Sequence, residues 1–252
     1  MRNPGRKNLA PDCNLLIRKL ESIFTLSDGE RQALLSLPAQ ATALKENQDI
    51  VREGDSPSRS CVIVSGFACS YKVTGQGKRQ IQGFYIAGDI PDLQSLHLRV
   101  LDNSVGTITP CRVWFIPHEA LRDICDRYPR IGTAFWRKSL IDAAVFREWM
   151  TSIGQREAYS RIAHLLCELM VRLRAVGLAE GHSFDLPITQ AEFGDALGLS
   201  AVHVNRVLQA MRADGLIELQ GERLNIPDWE KLKEAGDFDP TYLHLESNQA
   251  AA

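Results

Sequence analysis

The stretch that decides the fold lies near the C-terminus, where residues 189–209 read TQAEFGDALGLSAVHVNRVLQ. Thr189 followed three positions later by Glu192 is the pattern of a capping box, which begins a helix. Gly198 stands where a turn requires a positive φ angle, and glycine adopts that angle without strain. Ser200 is a favoured N-cap for a second helix. The stretch therefore predicts two short helices joined by a tight turn.

The apolar and polar residues of this stretch divide between two sides, as they do in a helix-turn-helix. Gly194 is small where the second helix must approach closely, and Leu199 fills the corner between the helices. The inward-facing positions are all apolar: Phe193, Leu197, Val204 and Val207. The outward-facing positions are polar: Asn205, Arg206, Gln209 and Arg212. A plain helical hairpin inside a core would leave these outward residues unexplained, so the pattern favours a DNA-binding helix pair.

The second helix carries side chains suited to the major groove of DNA. Arg206 can form two hydrogen bonds to guanine O6 and N7, and the amides of Asn205 and Gln209 suit adenine or phosphate. Ala201 and Val202, near the start of that helix, can contact a thymine methyl group. The remaining candidate contacts are to phosphate, at the helix N-termini or beside them: Thr189, Gln190, Ser200 and His203. An ordinary surface histidine is an equal interpretation for the last of these.

The residues around the helix pair complete a winged domain. A helix is predicted over 158–176, with its leucines and isoleucines on one side, and a loop over 177–184. After Asp214-Gly215, the residues 216–226 predict a β-hairpin, which forms the wing. Arg223 in this hairpin can add a contact to the DNA backbone.

The N-terminal half has a different pattern, in which short apolar stretches alternate with turns rich in glycine, aspartate, serine and proline. The apolar stretches are 49–51, 61–64, 67–73, 81–86, 105–108 and 113–116. Strands at this spacing predict a small antiparallel barrel or sandwich. Short helices are predicted before it, within residues 14–37, and Ser27 and Glu30 form a cap for the second of them.

A long helix is predicted between the two halves, over about residues 130–152, because Pro129 fits a first helical turn and few helix breakers follow. Its apolar residues cover more than one face. One face can pack on the barrel and another on a second copy of the helix, which predicts a homodimer. Burial of the whole helix within a monomer is the alternative. Residues 154–156 are the expected hinge.

Composition limits the classes of protein further. The chain has 252 residues and a formal net charge of −2, which suits two domains but supplies no overall positive charge for a nucleic acid. Within residues 158–234 there are eight basic and eleven acidic residues, so a positive surface has to come from their placement. We find neither the ~20 apolar residues of a membrane helix nor a secretory signal, and we expect a cytoplasmic protein without membrane contact.

Motifs for catalysis and for metal binding are missing from the sequence. The six cysteines are scattered without a CxxC pair, which disfavours a disulfide framework or a zinc ribbon. There is no glycine-rich phosphate loop, no HExxH and no GxSxG. We therefore expect no enzyme, no catalytic residues, no metal and no cofactor, and leave open whether Cys125 or Cys167 is a redox switch.

Together these segments resemble the Crp–Fnr family of bacterial transcription regulators over about residues 15–235. The resemblance is most specific over 188–217, which includes Gly198-Leu199-Ser200 and Val204-Asn205-Arg206. The barrel adds Ile50 to Asp55, Val64-Ser65-Gly66 and Gly88-Asp89. It implies an α+β fold with an N-terminal antiparallel β-roll of the double-stranded β-helix type, a long dimerisation helix and a C-terminal winged helix-turn-helix. It also implies palindromic double-stranded DNA, a second copy of the chain and RNA polymerase as partners.

The resemblance implies five segments along the chain. They are a flexible tail over 1–12, a sensory roll over 13–128, a dimerisation helix over 129–154, a winged helix-turn-helix over 155–236 and a C-terminal tail over 237–252. Relatives that bind cyclic AMP carry a glutamate for the ribose and an Arg-Ser pair for the cyclic phosphate in one loop of the roll. This loop, residues 88–104, is called the cassette below.

The cassette departs from that pattern. It begins Gly88-Asp89-Ile90-Pro91-Asp92-Leu93-Gln94 without a glutamate, and Asn103-Ser104 stands at the Arg-Ser position. Because a buried phosphate without a cation costs several kcal/mol, we predict that cyclic AMP does not control the protein. Arg99 replaces the arginine only under a shifted alignment. The effector, if any, stays unknown.

Two further departures concern cofactors and base choice. Oxygen-sensing relatives hold an iron–sulfur cluster on closely spaced N-terminal cysteines, whereas only Cys13 lies in that region here. Haem-binding relatives use a histidine or cysteine on the roll, and His97 is a candidate against an ordinary loop histidine. Many relatives have glutamate where Val202 stands, so the half-site should differ at that base pair. One alternative function stays open, a nucleotide-binding regulatory module whose winged helix contacts protein, and the missing cassette residues argue against it.

Overall fold

The computed structural model describes residues 13–246. The tail expected at residues 1–12 lies outside the described residues, as do residues 247–252. Two short helices open the described chain, α1 (Cys13–Glu21) and α2 (Asp28–Leu35). The cap expected before α2 is confirmed, since the Ser27 hydroxyl accepts the Glu30 N–H and the Glu30 carboxylate accepts the Ser27 N–H.

Seven strands then form the antiparallel β-roll that the sequence predicts. They are β1 (Gln40–Leu44), β2 (Asp49–Val51), β3 (Arg59–Ser65), β4 (Ala68–Val73), β5 (Arg79–Tyr85), β6 (Ser104–Thr107) and β7 (Cys111–Pro117). The two sheets have the orders β1-β7-β3 and β2-β6-β4-β5. Ile63 and Val113 of the first sheet and Ala68 of the second are fully buried in one cluster that joins the two sheets. Strand β1 was not predicted, because its sequence QATAL is short, mostly exposed and has one β-branched residue, Thr42.

Two helices connect the roll to the C-terminal domain. They are α3 (His118–Arg127) and α4 (Pro129–Gln155), and the long helix is thereby confirmed with Pro129 in its first turn. One face of α4 is buried against the rest of the chain, through Ile131, Phe135 and Trp149 among others. Another face is exposed.

The C-terminal domain contains four helices and a small sheet. Its elements are α5 (Ala158–Ala175), β8 (Ala179–Glu180), β9 (Ser183–Asp185), α6 (Gln190–Leu197), α7 (Ala201–Ala213), β10 (Glu218–Gln220), β11 (Arg223–Asn225) and α8 (Trp229–Ala235). The wing is the predicted hairpin β10–β11. The loop predicted over 177–184 is wrong, because β8 and β9 pair there and extend the sheet to the order β10-β11-β9-β8. Two-residue and three-residue strands leave too short an apolar pattern for prediction.

The segment 237–246 packs on the domain and differs from the tail expected there. It includes a 3-10 helix, Pro240–Leu243, and buries Phe238 and Leu243. The Tyr242 hydroxyl donates to the Glu168 carboxylate of α5 at 2.9 Å, and the Glu246 N–H donates to the Ser22 carbonyl at 2.8 Å. This C-terminal segment therefore joins α5 to the N-terminal helices, through contacts too distant in sequence to leave a local pattern.

The roll and the C-terminal domain share one hydrophobic core. Phe84 and Ile86 of the roll lie in the same buried cluster as Trp149 of α4 and Leu169 of α5. The rings of Phe84 and Trp149 meet edge to face with centroids 5.6 Å apart. The expected hinge at 154–156 therefore lies beside a packed junction, and helix α4 continues to Gln155.

A buried charged network crosses this junction. Asp89 is 1% exposed and lies 3.0 Å from Lys19 Nζ and 3.2 Å from Arg172 Nη2. Arg172 also donates to Glu168 at 2.9 Å and to the Phe84 carbonyl at 2.7 Å. Burial opposes ionisation of Asp89, but the surrounding cations outweigh it and hold the pKa of Asp89 well below its usual value. One guanidinium group thus links the roll to α5.

Candidate nucleic-acid interface

The helix-turn-helix is built with the caps that its sequence predicts. The Thr189 hydroxyl accepts the Glu192 N–H at 3.3 Å, and the Glu192 carboxylate accepts the Thr189 N–H at 2.7 Å. The Ser200 hydroxyl accepts the His203 N–H at 3.2 Å and caps α7. Between the helices Gly198 has a φ of 68°, in the left-handed region. Both helix starts are therefore set by local hydrogen bonds.

The close approach expected at Gly194 is present. A Cβ atom added there would lie 2.5 Å from the carbonyl oxygen of Leu199. Phe193, Leu197 and Val204 are buried around this crossing. The angle between α6 and α7 therefore depends on a position that admits no side chain.

Helix α7 presents one row of side chains to solvent. Val202 is 81% exposed, Arg206 and Gln209 are exposed, and Asn205 is half-buried. These residues are three, four and seven positions apart and lie on one face of the helix. The opposite face is buried through Val204, Val207, Leu208 and Met211. The candidate contact residues of α7 are thus brought together.

The charged group in this row is unengaged. Among residues 13–246, Arg206 has no hydrogen-bond or ion-pair partner, so its five N–H groups are open to a ligand. Thr189, Gln190, Ser200 and Ala201 are exposed at the starts of α6 and α7, and His203 is half-buried. The geometry agrees with these residues as DNA contacts, which remain a prediction.

Two other arginines of the domain are engaged within the chain. Arg223 in the wing lies 3.2 Å from Asp185 and 3.3 Å from Glu180. Arg161 donates to the Leu197 carbonyl at 2.9 Å and so ties α5 to the end of α6. A backbone contact by Arg223 would have to exchange these carboxylates for a phosphate.

The rear of α6 rests on the roll, which the sequence analysis did not predict. Arg79 of β5 donates to Asp195 at 2.7 Å, and Gln80 donates to the Ala196 carbonyl at 3.1 Å. Each pair is 116 positions apart in the chain. No local signal marks such a pair, because both polar residues are ordinary surface types in their own elements.

The cassette holds two buried acids, Asp89 and Asp92, and no buried arginine. The Asp92 side chain is 0% exposed, and one of its oxygens accepts the Cys61 N–H at 2.8 Å. Its other oxygen has no hydrogen-bond partner among residues 13–246. Arg99, the sole arginine of residues 88–104, is exposed. Burial raises the pKa of Asp92 to about 7, against the lowering effect of the Cys61 N–H.

Replacement of Asp92 by asparagine should remove a pH dependence of stability. Folding raises the pKa of Asp92, so the folded chain retains a proton that the unfolded chain releases. The free energy of unfolding therefore falls as the pH rises from the pKa of an aspartate in the unfolded chain towards 7. The free energy of unfolding of Asp92→Asn minus that of the wild type should therefore increase by about 1–4 kcal/mol from about pH 5 to about pH 8. Urea denaturation at both pH values measures this difference.

The matched control for this measurement is Asp102→Asn, a substitution of an exposed acid in the same loop. It should leave the pH dependence unchanged. An Asp92→Asn protein whose stability follows that of the wild type at both pH values would contradict the argument.

The five cysteines whose side chains the structure describes lack the environment of reactive thiols. Cys61, Cys69, Cys111 and Cys167 are buried and Cys125 is half-buried. Burial raises the pKa of Cys125 and of Cys167, and the nearby Asp126 carboxylate acts in the same direction at Cys125. A raised pKa keeps the thiol protonated and slow to react, which weakens the redox-switch hypothesis for both.

Within residues 13–246, no helix combines the length and apolar character needed to cross a bilayer. The same residues contain no group of three or more His, Cys, Asp or Glu side chains placed to hold a metal ion. His97, the haem candidate, lies exposed.

Two family models match the two halves of the chain. The model of the Crp-like helix-turn-helix domain matches residues 160–235. The model of the cyclic nucleotide-binding domain matches residues 41–128. These ranges correspond to the C-terminal domain and to the roll.

Characterised relatives resemble the chain over most of its length. The transcriptional activator protein FnrL of Cereibacter sphaeroides is 28% identical over 231 residues, which are 90% of this chain and 91% of that protein. The electron transport regulator A of Shewanella oneidensis is 26% identical over 83% of each chain. The transcriptional activator protein anr of Pseudomonas aeruginosa is 26% identical over 86% of this chain and 88% of its own.

Solved structures share the fold. FixK2 from Bradyrhizobium japonicum has a TM-score of 0.72 at 22% identity and covers 79% of this chain and 98% of its own. The c-di-GMP responsive global regulator CLP of Xanthomonas campestris has a TM-score of 0.62 at 18% identity and covers 79% of this chain and 99% of its own. A roll, a long helix and a winged helix-turn-helix thus recur together.

The fold, the exposed side chains of α7 (the reader helix) and these matches define a DNA-binding transcription regulator. The chain belongs to the Crp–Fnr family.

Proposed function

We propose that the protein binds two-fold-symmetric DNA sites as a homodimer and reads each half-site with α7. The observation that carries the proposal is the outward row on α7, in which the Arg206 guanidinium is exposed and has no partner among residues 13–246. Two-fold symmetry would place two such helices about 34 Å apart, in successive turns of the major groove. Thr189, Gln190, Ser200 and His203 would position the domain on phosphates, and RNA polymerase is the expected partner at a promoter.

Replacement of Arg206 by alanine should weaken specific DNA binding by about 1–3 kcal/mol, or about 5- to 150-fold. The physical reason is the loss of a bidentate contact to one guanine, so the preference at that base pair should relax. Selection of binding sites from a random duplex library, followed by titration, measures both effects.

The control for Arg206→Ala is Lys231→Ala, which removes an exposed cation on α8. Lys231 is not part of the reader face, the exposed row of α7 from Val202 to Gln209. The affinity of this variant and its selected sequence should match those of the wild type. If Arg206→Ala selects the same sites with the same affinity as the wild type, the proposal that α7 reads bases through Arg206 is wrong.

The homodimer is supported by an apolar face of α4. Trp136, Leu140, Phe146 and Met150 are 69%, 55%, 50% and 62% exposed. Together with Ala143, these residues form one continuous stripe along the helix. Large apolar side chains clustered in this way mark an interaction surface, and the same face of a second α4 is its simplest complement.

Replacement of Leu140 by glutamate should convert the dimer to a monomer, because two copies of the charge would face each other in an apolar interface. Sedimentation equilibrium measures the mass. Gln155→Glu adds the same charge at an exposed position of α4 off the stripe and should keep the dimer. A dimeric Leu140→Glu protein would place the interface elsewhere.

We further propose that cyclic AMP does not control DNA binding. Asp92 of the cassette is a buried acid, and Arg99, the sole arginine of the cassette, is exposed. A cyclic phosphate entering there would find no buried arginine within the cassette, and the buried cations beside it, Lys19 and Arg172, are already paired with Asp89. Titration of the selected DNA site should give the same affinity with and without cyclic AMP, and a tightening by the nucleotide would overturn this part of the proposal.

A further inference from the structure

A cavity large enough for a ligand lies behind the reader domain, by which we mean the C-terminal domain that carries α7. It has a volume of about 500 Å³ and is bounded by α4, α5, α8 and the C-terminal segment. Its apolar walls include Val171, Trp229 and Phe238. This volume falls within the range of sites for small organic molecules and exceeds the space that an inorganic ion fills. No residue of the cassette and none of the reader face lines it.

The polar lining of this cavity comprises three cations together with Thr241 and His244. Arg137, Arg174 and Lys233 face it from three different helices, and among the described residues no aspartate or glutamate lines it. Because three elements contribute the charges, the positive potential converges on the enclosed space instead of spreading over one surface.

Two of these cations, Arg137 and Lys233, have partners that leave room for a ligand. Arg137 is 3.9 Å from Glu246, and Lys233 is 3.2 Å from Glu230. Both are partly exposed pairs, which contribute little to stability and exchange readily. Arg174 donates to the Gly181 carbonyl at 2.9 Å and lies 5.8 Å from the ring centroid of Trp229, so it is held at the cavity wall.

Another cavity of the described chain, at the junction of the roll and the C-terminal domain, contains three cations with a different balance of charge. It is lined by Lys19, Lys138 and Arg172, and these cations are paired with Asp89, Asp142 and Glu168. Three positive and three negative charges compensate one another there. Asp89 and Glu168 are almost fully buried, whereas Glu246 and Glu230 pair with Arg137 and Lys233 at the surface, so a ligand anion can displace the second set more easily than the first.

We propose that the cavity of Arg137, Arg174 and Lys233 binds a small organic anion, a phosphate monoester or a carboxylate carried on an apolar body. The oxyanion would lie against the cations, where charge-assisted hydrogen bonds are available. The apolar body would pack on Val171 and Phe238. Binding of this anion does not depend on DNA recognition, because no residue of the reader face lines the cavity.

The test uses full-length protein labelled with 5-fluorotryptophan and observed by ¹⁹F NMR. The chain has four tryptophans, and Trp229→Phe assigns the resonance at the cavity. Phenyl phosphate and benzoate are titrated in separate arms, and phenol is the neutral comparison. We expect a saturable shift of the Trp229 resonance with a dissociation constant of about 0.1–10 mM in at least one arm. The arm that binds identifies the oxyanion.

Variants decide whether the cations carry the binding. Arg137→Gln combined with Lys233→Gln should weaken binding of the probe by about tenfold or more. Lys231→Gln, on the same α8 but outside the cavity lining, should bind as the wild type does. An unchanged resonance of Trp114, which is buried in the roll, confirms that the variants fold.

Three results would overturn the proposal. The Trp229 resonance could stay unmoved by both anions up to about 10 mM. Phenol could bind as tightly as the anions, which would mean an apolar pocket without preference for charge. The double variant could bind the probe with wild-type affinity.

Discussion

Replacement of Arg172 by alanine is expected to lower the free energy of unfolding by about 3–5 kcal/mol. The Arg172 guanidinium joins Asp89, Glu168 and the Phe84 carbonyl, and both carboxylates are almost fully buried. Its removal leaves two buried negative charges with too few partners, and a buried charge that loses its partner costs far more than an exposed one. Chemical denaturation of the two proteins measures the loss.

The control for Arg172→Ala is Arg127→Ala. Arg127 pairs with Asp123 on the surface, where both side chains are 62% exposed. Loss of such a pair should change the free energy of unfolding by less than about 1 kcal/mol. Equal effects of the two substitutions would show that the junction does not depend on the buried network.

Replacement of Gly194 by alanine is the second substitution with a large expected effect. In an ordinary helix this change stabilises by about 1 kcal/mol. Here the new Cβ would lie 2.5 Å from the carbonyl oxygen of Leu199, and backbone atoms cannot yield without opening the turn. We expect a net loss of about 1–3 kcal/mol in stability, together with weaker DNA binding, because the angle of α7 changes. Denaturation and DNA titration measure the two effects.

Gly132→Ala is the matched control, since Gly132 also lies within a helix. Its new Cβ would be 3.6 Å from the Cβ of Cys125, an ordinary contact distance. This substitution should keep or slightly raise the stability. If both alanine variants are stabilised alike, the crossing of α6 and α7 is looser than the distance to Leu199 indicates.

The sequence predicted most fully those features that depend on neighbours within a few positions. The caps at Thr189 and Ser200, the left-handed turn at Gly198 and the exposed row from Val202 to Gln209 all follow from short-range geometry. The same holds for six of the seven strands of the roll and for the length of α4. The failures were short elements, β1 and the pair β8–β9, whose few residues carry too little pattern.

Taken by itself, the amino-acid sequence determined the reader helix, its caps and the class of fold, since hydrogen bonds and helical or strand periodicity act over a few residues and are written in consecutive positions. Only the tertiary structure decided how the parts are joined. Arg172 to Asp89, Arg79 to Asp195 and Glu246 to Ser22 are contacts between distant segments. At Arg172 and Asp89 the physical basis is burial, which lowers the local dielectric constant and makes each charge depend on a partner that folding alone brings near. The other two contacts are hydrogen bonds whose donors and acceptors meet only after the distant segments have packed together.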